Sequence, residues 1–306
     1  MSKSHKDFLS VLDFSKEEVS VLFKEAARLK KEGKQGGAGS LAGRTLALIM
    51  QKPSTRTTVS FAAGMAQLGG TPLILNSQEL QLKRGESLSD TARTLSQYVD
   101  GIMIRANKQD EIEELARFAS IPVINGLSDK EHPCQILSDI FTLWEARAGG
   151  KIEGLKGMKI AYLGDGNNVA HSLILAASLL GMEISVASPK GYEPEKEFVQ
   201  KGKVTVLADP LKAAAGADVL YTDVWASMGK DEEREKRKEI FMPYQVNAAL
   251  LAAASKDARV MHCLPAHRGE EITEEVMEGR QSIIFEQAGN RLHVQKAILL
   301  YLLKDL

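Results

Sequence analysis

Four residues suited to binding an anion follow a short apolar run near the start of the chain: Ser54, Thr55, Arg56 and Thr57. The run Leu46–Met50 has the length of a buried strand, and Pro53 prevents its extension as an inner strand. Ser and Thr favour helix starts because their hydroxyls accept from unpaired backbone N–H groups. A helix N-terminus attracts negative charge, and a guanidinium binds phosphate through paired hydrogen bonds. The stretch predicts a phosphate-binding turn; an ordinary capped helix with a surface arginine is the alternative.

Charged and polar residues follow several other predicted strands. The apolar runs 101–104 and 218–222, for example, are followed by Arg105 and Asp223. Open parallel sheets bind ligands beyond the carboxyl ends of their strands. We therefore expect two facing sheets to direct six side chains into one cleft: Arg56, Arg105, His132, Asn168, Asp223 and Cys263. A single strand-end arginine usually forms a surface salt bridge and a single cysteine usually fills a core, so the prediction depends on the whole set.

Alternating strand and helix patterns predict the elements that position these residues. They indicate an α/β fold of two domains, each a parallel sheet flanked by helices, with the active site in the cleft between them. We expect the first domain to cover residues 1–148 and the second to cover 149–289. The closing helix, 290–306, is expected to pack back on the first domain. A capping box at 15–18 predicts an early helix start, and the last predicted strand is 282–285.

The composition is that of a soluble globular protein, with 44% hydrophobic and 26% charged residues among 306. The formal net charge of -1 offers no basic field for nucleic acid or a membrane surface. No apolar run is long enough to span a bilayer, and residues 1–6 lack a signal-peptide pattern, so we expect a cytoplasmic protein. Cys134 and Cys263 are too few and too distant for a disulfide framework or a metal cluster.

Dinucleotide binding is the rival interpretation of the second half of the chain. Gly164 and Gly166 follow a predicted strand and open a helix, as in a Rossmann fingerprint. The third glycine position holds Val169, however, and the next strand ends at Ser188 where an acid should bind the ribose. No Walker-type Gly–Lys loop occurs in the sequence. These absences argue against both nicotinamide and nucleotide triphosphate chemistry.

Three motifs together resemble those of the aspartate/ornithine carbamoyltransferase family. The stretch 54–57 resembles its carbamoyl-phosphate loop. Residues 223–229 resemble the Asp-x-x-x-Ser-Met-Gly segment that marks the ornithine branch. Residues 262–269, His-Cys-Leu-Pro-Ala-His-Arg-Gly, resemble the cysteine loop of that branch, whereas the aspartate branch has a His-Pro-Leu-Pro type sequence there. The resemblance covers nearly the whole chain.

The resemblance implies transfer of a carbamoyl group from carbamoyl phosphate to the δ-amino group of L-ornithine, giving citrulline and phosphate without a metal or organic cofactor. The implied catalytic residues are Arg56, Arg105, His132, Asp223 and Cys263. The implied carbamoyl-phosphate ligands are Ser54, Thr55, Arg56, Thr57, Gln81, Arg105, His132, Gln135, Cys263, Leu264 and Arg291. The implied ornithine ligands are Asn168, Asp223, Ser227 and Met228. The sequence leaves open whether Asp223, Cys263 or the departing phosphate accepts the amine proton.

The resemblance further implies a homotrimer in which Gln81 of one subunit completes the site of its neighbour. Two other functions stay open at this point. A sister carbamoyltransferase acting on putrescine or an acylated ornithine shares the first domain, and the Ser-Met-Gly segment argues against it. A non-catalytic binding protein on the same fold is the other, and the retained arginines, His132 and Cys263 argue against it. The sequence does not separate a biosynthetic from a catabolic role.

Three positions depart from the family pattern. The phosphate loop usually continues with Arg and, four residues later, Glu, but this chain has Thr58 and Ala62 there. Both members of a helical ion pair are therefore replaced, which leaves no orphan charge. The family glutamate before Asn-Arg is Gly289 in this chain. We expect these changes to affect affinity and local stability rather than the reaction.

Overall fold

The computed structural model describes residues 5–76, 80–81, 85–226 and 234–304. The chain divides into two compact units. The first unit comprises residues 1–141 and 289–306, and the second unit comprises residues 142–288. Ser227 and Met228, predicted as ornithine ligands, lie outside the described residues.

The described strands form two sheets, one in each unit, and every strand pair is parallel. The first sheet has the order β2-β1-β3-β4 and the second has the order β7-β6-β5-β8-β9. The strands are β1 (Thr45–Met50), β2 (Thr71–Asn76), β3 (Gly101–Arg105), β4 (Val123–Leu127), β5 (Lys159–Leu163), β6 (Glu183–Ala187), β7 (Val204–Leu207), β8 (Val219–Thr222) and β9 (Arg259–His262). The prediction of an α/β fold with two parallel sheets is confirmed.

Helices connect the strands throughout the described residues. They are α1 (Lys16–Lys31), α2 (Thr55–Gln67), α3 (Leu88–Leu95), α4 (Gln109–Phe118), α5 (Pro133–Ala146), α6 (Asn168–Leu180), α7 (Lys196–Lys201), α8 (Pro210–Ala214), α9 (Arg234–Phe241), α10 (Ala248–Ala253), α11 (Glu274–Met277) and α12 (Ile284–Leu303). The predicted capping box at the start of α1 is present, because Ser15 accepts from Glu18 N and Glu18 accepts from Ser15 N. None of the helices in the described ranges is long and apolar enough to cross a membrane.

The central strands are apolar along most of their length, as is typical of parallel strands covered by helices on both faces. In the first unit, Ile49 of β1 and Ile104 of β3 belong to a core with Ile112 and Leu115 of α4. In the second unit, Leu163 of β5 belongs to a core that includes residues of α8, α10 and α11. The edge strand β2 differs, since most of its residues are exposed.

The predicted strand at 282–285 is wrong. Ser282 forms only an isolated bridge with Val260 of β9, and α12 already begins at Ile284. A short apolar run such as Ile283–Phe285 fits a strand and a helix start equally well. Here Ile283 N donates one hydrogen bond to Val260 O, and the chain then continues as the long helix α12.

Each sheet reverses its strand order once, which creates a crevice where ligands of such sheets usually bind. In the first sheet the chain passes from β1 outward to β2 and returns on the other side of β1 with β3. In the second sheet the same reversal separates β5 from β8. The turns that follow β1, β3, β5 and β8 are therefore the expected ligand positions in each unit.

Candidate active site

The turn between β1 and α2 has the geometry that the sequence predicts. Ser54 has an extended backbone and caps α2, and its Oγ accepts a hydrogen bond from Thr57 N at 3.3 Å. The Thr57 side chain is fully buried, whereas Arg56 is partly exposed at the first turn of the helix. A helix start with hydroxyls and a guanidinium at the carboxyl end of a central strand is suited to an anion.

His132 lies within the electrostatic range of three arginines of the first unit. Its side chain is buried, and burial together with Arg291, Arg105 and Arg56 lowers the pKa of His132 well below its ordinary value. The imidazole is therefore neutral near pH 7 and carries one N–H. Arg56, Arg105 and His132 follow β1, β3 and β4, which are neighbours in the sheet, so the structure brings these predicted residues together.

Arg291 connects the turn at residues 54–57, called the anion turn below, to α5. Its guanidinium donates to Thr57 Oγ1 at 3.1 Å and to Gln135 Oε1. Gln135 Nε2 donates in turn to Asp139 Oδ1 at 2.8 Å, which sets the orientation of the amide. Sequence reasoning missed Asp139, although its place one helical turn after Gln135 was a possible signal. The predicted residues Thr57, Gln135 and Arg291 thus form one hydrogen-bonded group.

Two further side chains of the first unit clarify what the site contains. Burial and the Arg105 cation lower the pKa of Lys52, which directly precedes the anion turn and adds to its positive potential. Sequence reasoning missed Lys52, although its position between β1 and Pro53 was a signal. Cys134 is different, because its thiol donates to Asn125 O and burial raises its pKa to about 12. That thiol is a core group rather than a nucleophile.

In the second unit, Asp223 is the centre of a group of polar side chains at the carboxyl end of β8. Its Oδ1 accepts from Val224 N at 2.8 Å and from Cys263 Sγ at 2.9 Å. Its Oδ2 accepts from Asn167 Nδ2 at 2.8 Å. Asp223 and Cys263 are both buried and follow the neighbouring strands β8 and β9. The structure therefore brings two of the predicted residues, a carboxylate and a thiol, into hydrogen-bond contact.

Asn167 fixes the carboxylate and starts α6 at the same time. Its Oδ1 accepts from Val169 N and Ala170 N as the helix cap, and also from the Tyr162 hydroxyl at 3.1 Å. Sequence reasoning missed Asn167 and assigned ornithine binding to the next residue, Asn168, which is the first residue of α6 and partly exposed. A pair of adjacent asparagines at a strand-to-helix turn contained no signal for which one contacts Asp223.

Arg237 of α9 stabilises the turn before α6 from a different direction. Its guanidinium donates to Asp165 Oδ2 and to Trp225 O, and lies 4.7 Å from the centre of the Tyr192 ring. One buried cation therefore binds both Asp165, two residues before Asn167, and Trp225, two residues after Asp223. Sequence reasoning missed Arg237, because the alternating charges around it are typical of a solvated helix face.

The last two predicted residues that the structure describes are Leu264 and Gln81. Leu264 follows Cys263 and has a left-handed backbone with φ of 59°. Gln81 is exposed, and its carbonyl oxygen accepts from Glu86 N at 3.2 Å. No hydrogen bond among the described residues connects the side chain of Gln81 to the other predicted ligands.

The fold and the two groups of polar side chains define a class of α/β protein. One parallel-sheet unit presents a helix start surrounded by cationic side chains, and the other presents a buried carboxylate beside a thiol. Residues 6–145 match the carbamoyl-P binding domain of aspartate/ornithine carbamoyltransferase, and residues 156–302 match the Asp/Orn binding domain. The chain belongs to the aspartate/ornithine carbamoyltransferase family, which confirms the resemblance seen in the sequence.

Proteins of the ornithine branch are similar along almost the whole chain. An ornithine carbamoyltransferase of Anoxybacillus flavithermus is 54% identical over 308 residues, which cover 97% of this chain and 96% of the relative. One from Pyrococcus furiosus, described as anabolic, is 49% identical over 98% of this chain and 96% of the relative. A solved structure of ornithine carbamoyltransferase from Pyrococcus furiosus superposes with a TM-score of 0.93 and covers 100% of this chain and 99% of that one.

Proposed function

We propose that this protein transfers the carbamoyl group of carbamoyl phosphate to the δ-amino group of L-ornithine, which yields L-citrulline and phosphate. The observation that carries the proposal is the buried Asp223–Cys263 pair in a chain of this family, because the His-Cys-Leu-Pro loop separates the ornithine from the aspartate branch. The relatives of the ornithine branch, which are about half identical over nearly the full length, support the same reaction.

The first unit has the groups that a phosphate dianion requires. We assign Ser54, Thr55, Arg56 and Thr57 to the phosphate, since a helix start and a guanidinium bind it through charge-assisted hydrogen bonds. Arg105, His132, Gln135 and Arg291 complete the carbamoyl-phosphate ligands that we assign within this unit. The hydrogen bonds from Arg291 to Thr57 and to Gln135 support this grouping, because one guanidinium orients both a hydroxyl of α2 and an amide of α5.

The carbonyl oxygen of carbamoyl phosphate gains negative charge as the nitrogen attacks. Donors fixed at that oxygen stabilise the tetrahedral state more than the ground state. We assign this role to Arg56, Arg105 and His132. The lowered pKa of His132 supports its role, because a neutral imidazole donates one N–H and brings no further charge among three arginines.

The second unit has the groups that an amine requires. We assign the δ-nitrogen of ornithine to Asp223 and Cys263, and the α-amino and α-carboxyl end to Asn168, Ser227 and Met228. Ornithine reacts as the neutral amine, although a free alkylammonium titrates far above pH 7. The nitrogen forms a bond to the carbamoyl carbon and loses one proton, while phosphate leaves with the electrons of the broken C–O bond. Cys263 and Leu264 are also assigned to the carbamoyl group.

We assign carbamoyl-phosphate binding to residues 1–148 with helix 290–306, and ornithine binding to residues 149–289. The matched family domains support a boundary between residues 145 and 156. The clustering of residues 289–306 with the first unit supports the assignment of the closing helix to carbamoyl-phosphate binding. We also infer that the reaction serves arginine biosynthesis in the cytoplasm. The similar protein described as anabolic supports the first point. The second point agrees with the proposed role of Cys263 as a thiol, because reducing compartments preserve thiols.

The proposed assembly is a homotrimer in which Gln81 reaches the carbamoyl-phosphate site of the neighbouring subunit. Three apolar side chains of the first unit are exposed on α2 and on the edge strand β2: Val59, Leu73 and Ile74. An exposed apolar group beside an unpaired strand edge is typical of a surface that a second copy covers. Head-to-tail contacts of this kind close into a ring when the rotation between subunits permits.

A colorimetric citrulline assay tests the proposed function. Purified protein is supplied with carbamoyl phosphate and, in separate reactions, with ornithine, putrescine, N-acetylornithine or aspartate. We expect a ureido product with ornithine alone. A product with putrescine or acetylornithine would reassign the substrate, and no product with any amine would support a non-catalytic binding protein.

A further inference from the structure

A buried acid lies beneath the loop that contains Cys263. Glu271 is fully buried, and its Oε1 accepts from His262 Nε2 at 3.0 Å and from His267 N at 2.5 Å. His262 is also buried, and its Nδ1 accepts from Leu264 N at 2.8 Å. A continuous series of hydrogen bonds therefore connects a carboxylate to the backbone immediately after Cys263.

The contacts define the tautomer of His262. Because Nδ1 accepts from a backbone N–H, the ring proton is on Nε2, which donates to Glu271. A buried carboxylate that lacked such donors would be strongly destabilising. Since apolar residues often stabilise a core better than a buried ionic group does, a buried acid at this position fits a role in orientation rather than in stability.

The backbone held by this series is in an uncommon conformation. Leu264 has φ of 59°, a left-handed value that costs roughly 1–2 kcal/mol for a residue with a side chain. The hydrogen bond from Leu264 N to His262 stabilises this turn from within. The backbone N–H of His262 itself donates to Gln287 Oε1 at 2.9 Å, which anchors the other side of Cys263.

The turn determines where the Cys263 thiol lies. Its neighbours on both sides are fixed, and in this arrangement Sγ donates to Asp223 Oδ1 at 2.9 Å. A displaced turn would separate the thiol from the carboxylate. A shift of about 1 Å at reacting groups is sufficient to reduce a rate by about 100-fold.

We propose that Glu271 is a positioning residue: through His262 it holds the turn at Cys263 and Leu264, and thereby keeps the thiol against Asp223. The inference rests on the proposed function only for its kinetic consequence, since the placement of the thiol is measurable without turnover. Glu271 does not touch substrate in this scheme. Its effect reaches the reaction through His262 and the backbone.

The test compares Glu271→Ala and Glu271→Gln with the matched controls Glu270→Ala and Glu270→Gln. Glu270 is the preceding residue with the same side chain, but it accepts from Arg234 at 2.7 Å, and its other oxygen lies 4.0 Å from His267 Nδ1. For each variant we measure kcat, the KM for each substrate, the thermal midpoint and the rate of Cys263 alkylation by iodoacetamide. Peptide mass spectrometry follows the alkylation, with the fully buried Cys134 as the internal reference.

We expect Glu271→Ala to lower kcat about 10- to 100-fold, as loss of a hydrogen bond to a charged group permits. The KM for ornithine should rise, the KM for carbamoyl phosphate should change little, and Cys263 should be alkylated faster. Glu271→Gln keeps an acceptor for His262, so it should fall between wild type and Glu271→Ala. Both Glu270 variants should keep wild-type kcat and alkylation rates.

A lower thermal midpoint with wild-type kcat and alkylation in Glu271→Ala would overturn the proposal, because it would indicate a purely structural role. Equal losses in the Glu270 variants would also overturn it. If Glu271→Ala does not fold, Glu271→Gln becomes the variant that tests the proposal. A wild-type kcat together with a wild-type rate of Cys263 alkylation in Glu271→Gln would then contradict it. If the wild-type protein makes no citrulline, the proposed function fails, while the alkylation rates still test the positioning role.

Discussion

Arg56, Arg105 and Arg291 place three positive charges around the buried His132. So many cations in one place are unfavourable without an anion, because like charges repel strongly where water is scarce. The proposed phosphate dianion would relieve this repulsion. Burial and the same charges lower the pKa of His132, so one cluster of residues would account for both the proposed affinity for phosphate and the neutral imidazole.

At this scale, Arg56→Ala is expected to lower kcat by roughly 100- to 1,000-fold, as removal of one transition-state donor typically does. The thermal midpoint should change little, because the Arg56 side chain is partly exposed and contributes little to a core. Steady-state citrulline assays check the rate. Arg28→Ala is the control, since Arg28 pairs with Glu25 and Glu32 on the surface of α1. Near wild-type activity in Arg56→Ala would refute the phosphate assignment.

The lowered pKa of His132 predicts a loss of stability in acid. Below about pH 6.5 the unfolded chain binds a proton at this imidazole, whereas the folded chain does not until the pH reaches the lower folded pKa. The unfolded state then binds more protons, so the free energy of unfolding falls as the pH falls through this window. The contribution is at most about 1.4 kcal/mol per pH unit for one group.

Urea denaturation of wild type and His132→Gln at pH 7.5, 6.5 and 5.5 measures this contribution. Glutamine does not titrate, so the variant should lose less stability on acidification than wild type. The comparison uses the slope with pH and not the absolute stability, because any change at a buried residue also alters packing. Identical slopes would show that His132 titrates alike in the folded and unfolded chains.

At the scale of elements, α12 contains a glycine that its surroundings do not require. A Cβ built on Gly289 would have no atom within 4 Å. Gly64 in α2 differs, because a Cβ there would lie 3.2 Å from Lys296 Cγ. Gly289 therefore weakens the helix without serving a close contact, two residues before Arg291.

We expect Gly289→Ala to raise the free energy of unfolding by roughly 0.5–1 kcal/mol, the usual difference between these residues within a helix. Gly64→Ala should bring no such gain, since Lys296 would have to move. The denaturant midpoints of both variants measure these changes in stability. Destabilisation by Gly289→Ala would mean that α12 in solution is less regular at residue 289 than it is in the structure.

The α2 helix permits a second test, at the two positions where the family ion pair is absent. Thr58 and Ala62 are partly buried and one turn apart. Thr58→Arg combined with Ala62→Glu should be neutral or stabilising by a few tenths of a kcal/mol, as expected for a helical ion pair, and Thr58→Arg alone should give less. A double-mutant cycle measures the coupling, and zero coupling would mean that the two side chains do not meet.

At the scale of the whole molecule, the proposed trimer joins the exposed Gln81 of one copy to the Arg56 turn of the next. Gln81→Ala should weaken carbamoyl phosphate binding and leave the sedimentation coefficient of the trimer unchanged. Mixed trimers of Gln81→Ala and Arg56→Ala subunits should exceed the mean activity of the two separate variants, because each mixed ring contains one site with both residues intact. An active protein that sediments as a monomer would contradict the shared site.

Features that depend on neighbouring residues could be predicted from the sequence, whereas features that depend on distant contacts could not. Patterns that depend on neighbours in sequence were readable directly: the Ser54 cap, the capping box at the start of α1 and the apolar central strands. The run 282–285 was ambiguous, since four residues cannot distinguish a strand from the first turn of a helix. The burial of Lys296 could not be predicted either, because the spacing of this residue fits an ordinary helix. Lys296 is fully buried, and its Nζ donates to Gly36 O at 2.6 Å.

The sequence by itself determined the fold class, the capped helix start after β1 and the family, because each depends on residue types at short and regular spacing. The tertiary structure decided which side chains act on one another. The order β2-β1-β3-β4 places Arg56 and Arg105 after adjacent strands, and the order of the second sheet does the same for Asp223 and Cys263. That Asn167 orients Asp223, and that Glu271 lies beneath Cys263, follows from contacts between residues far apart in sequence. No local pattern encodes them, because strand order is set by the packing of the whole sheet.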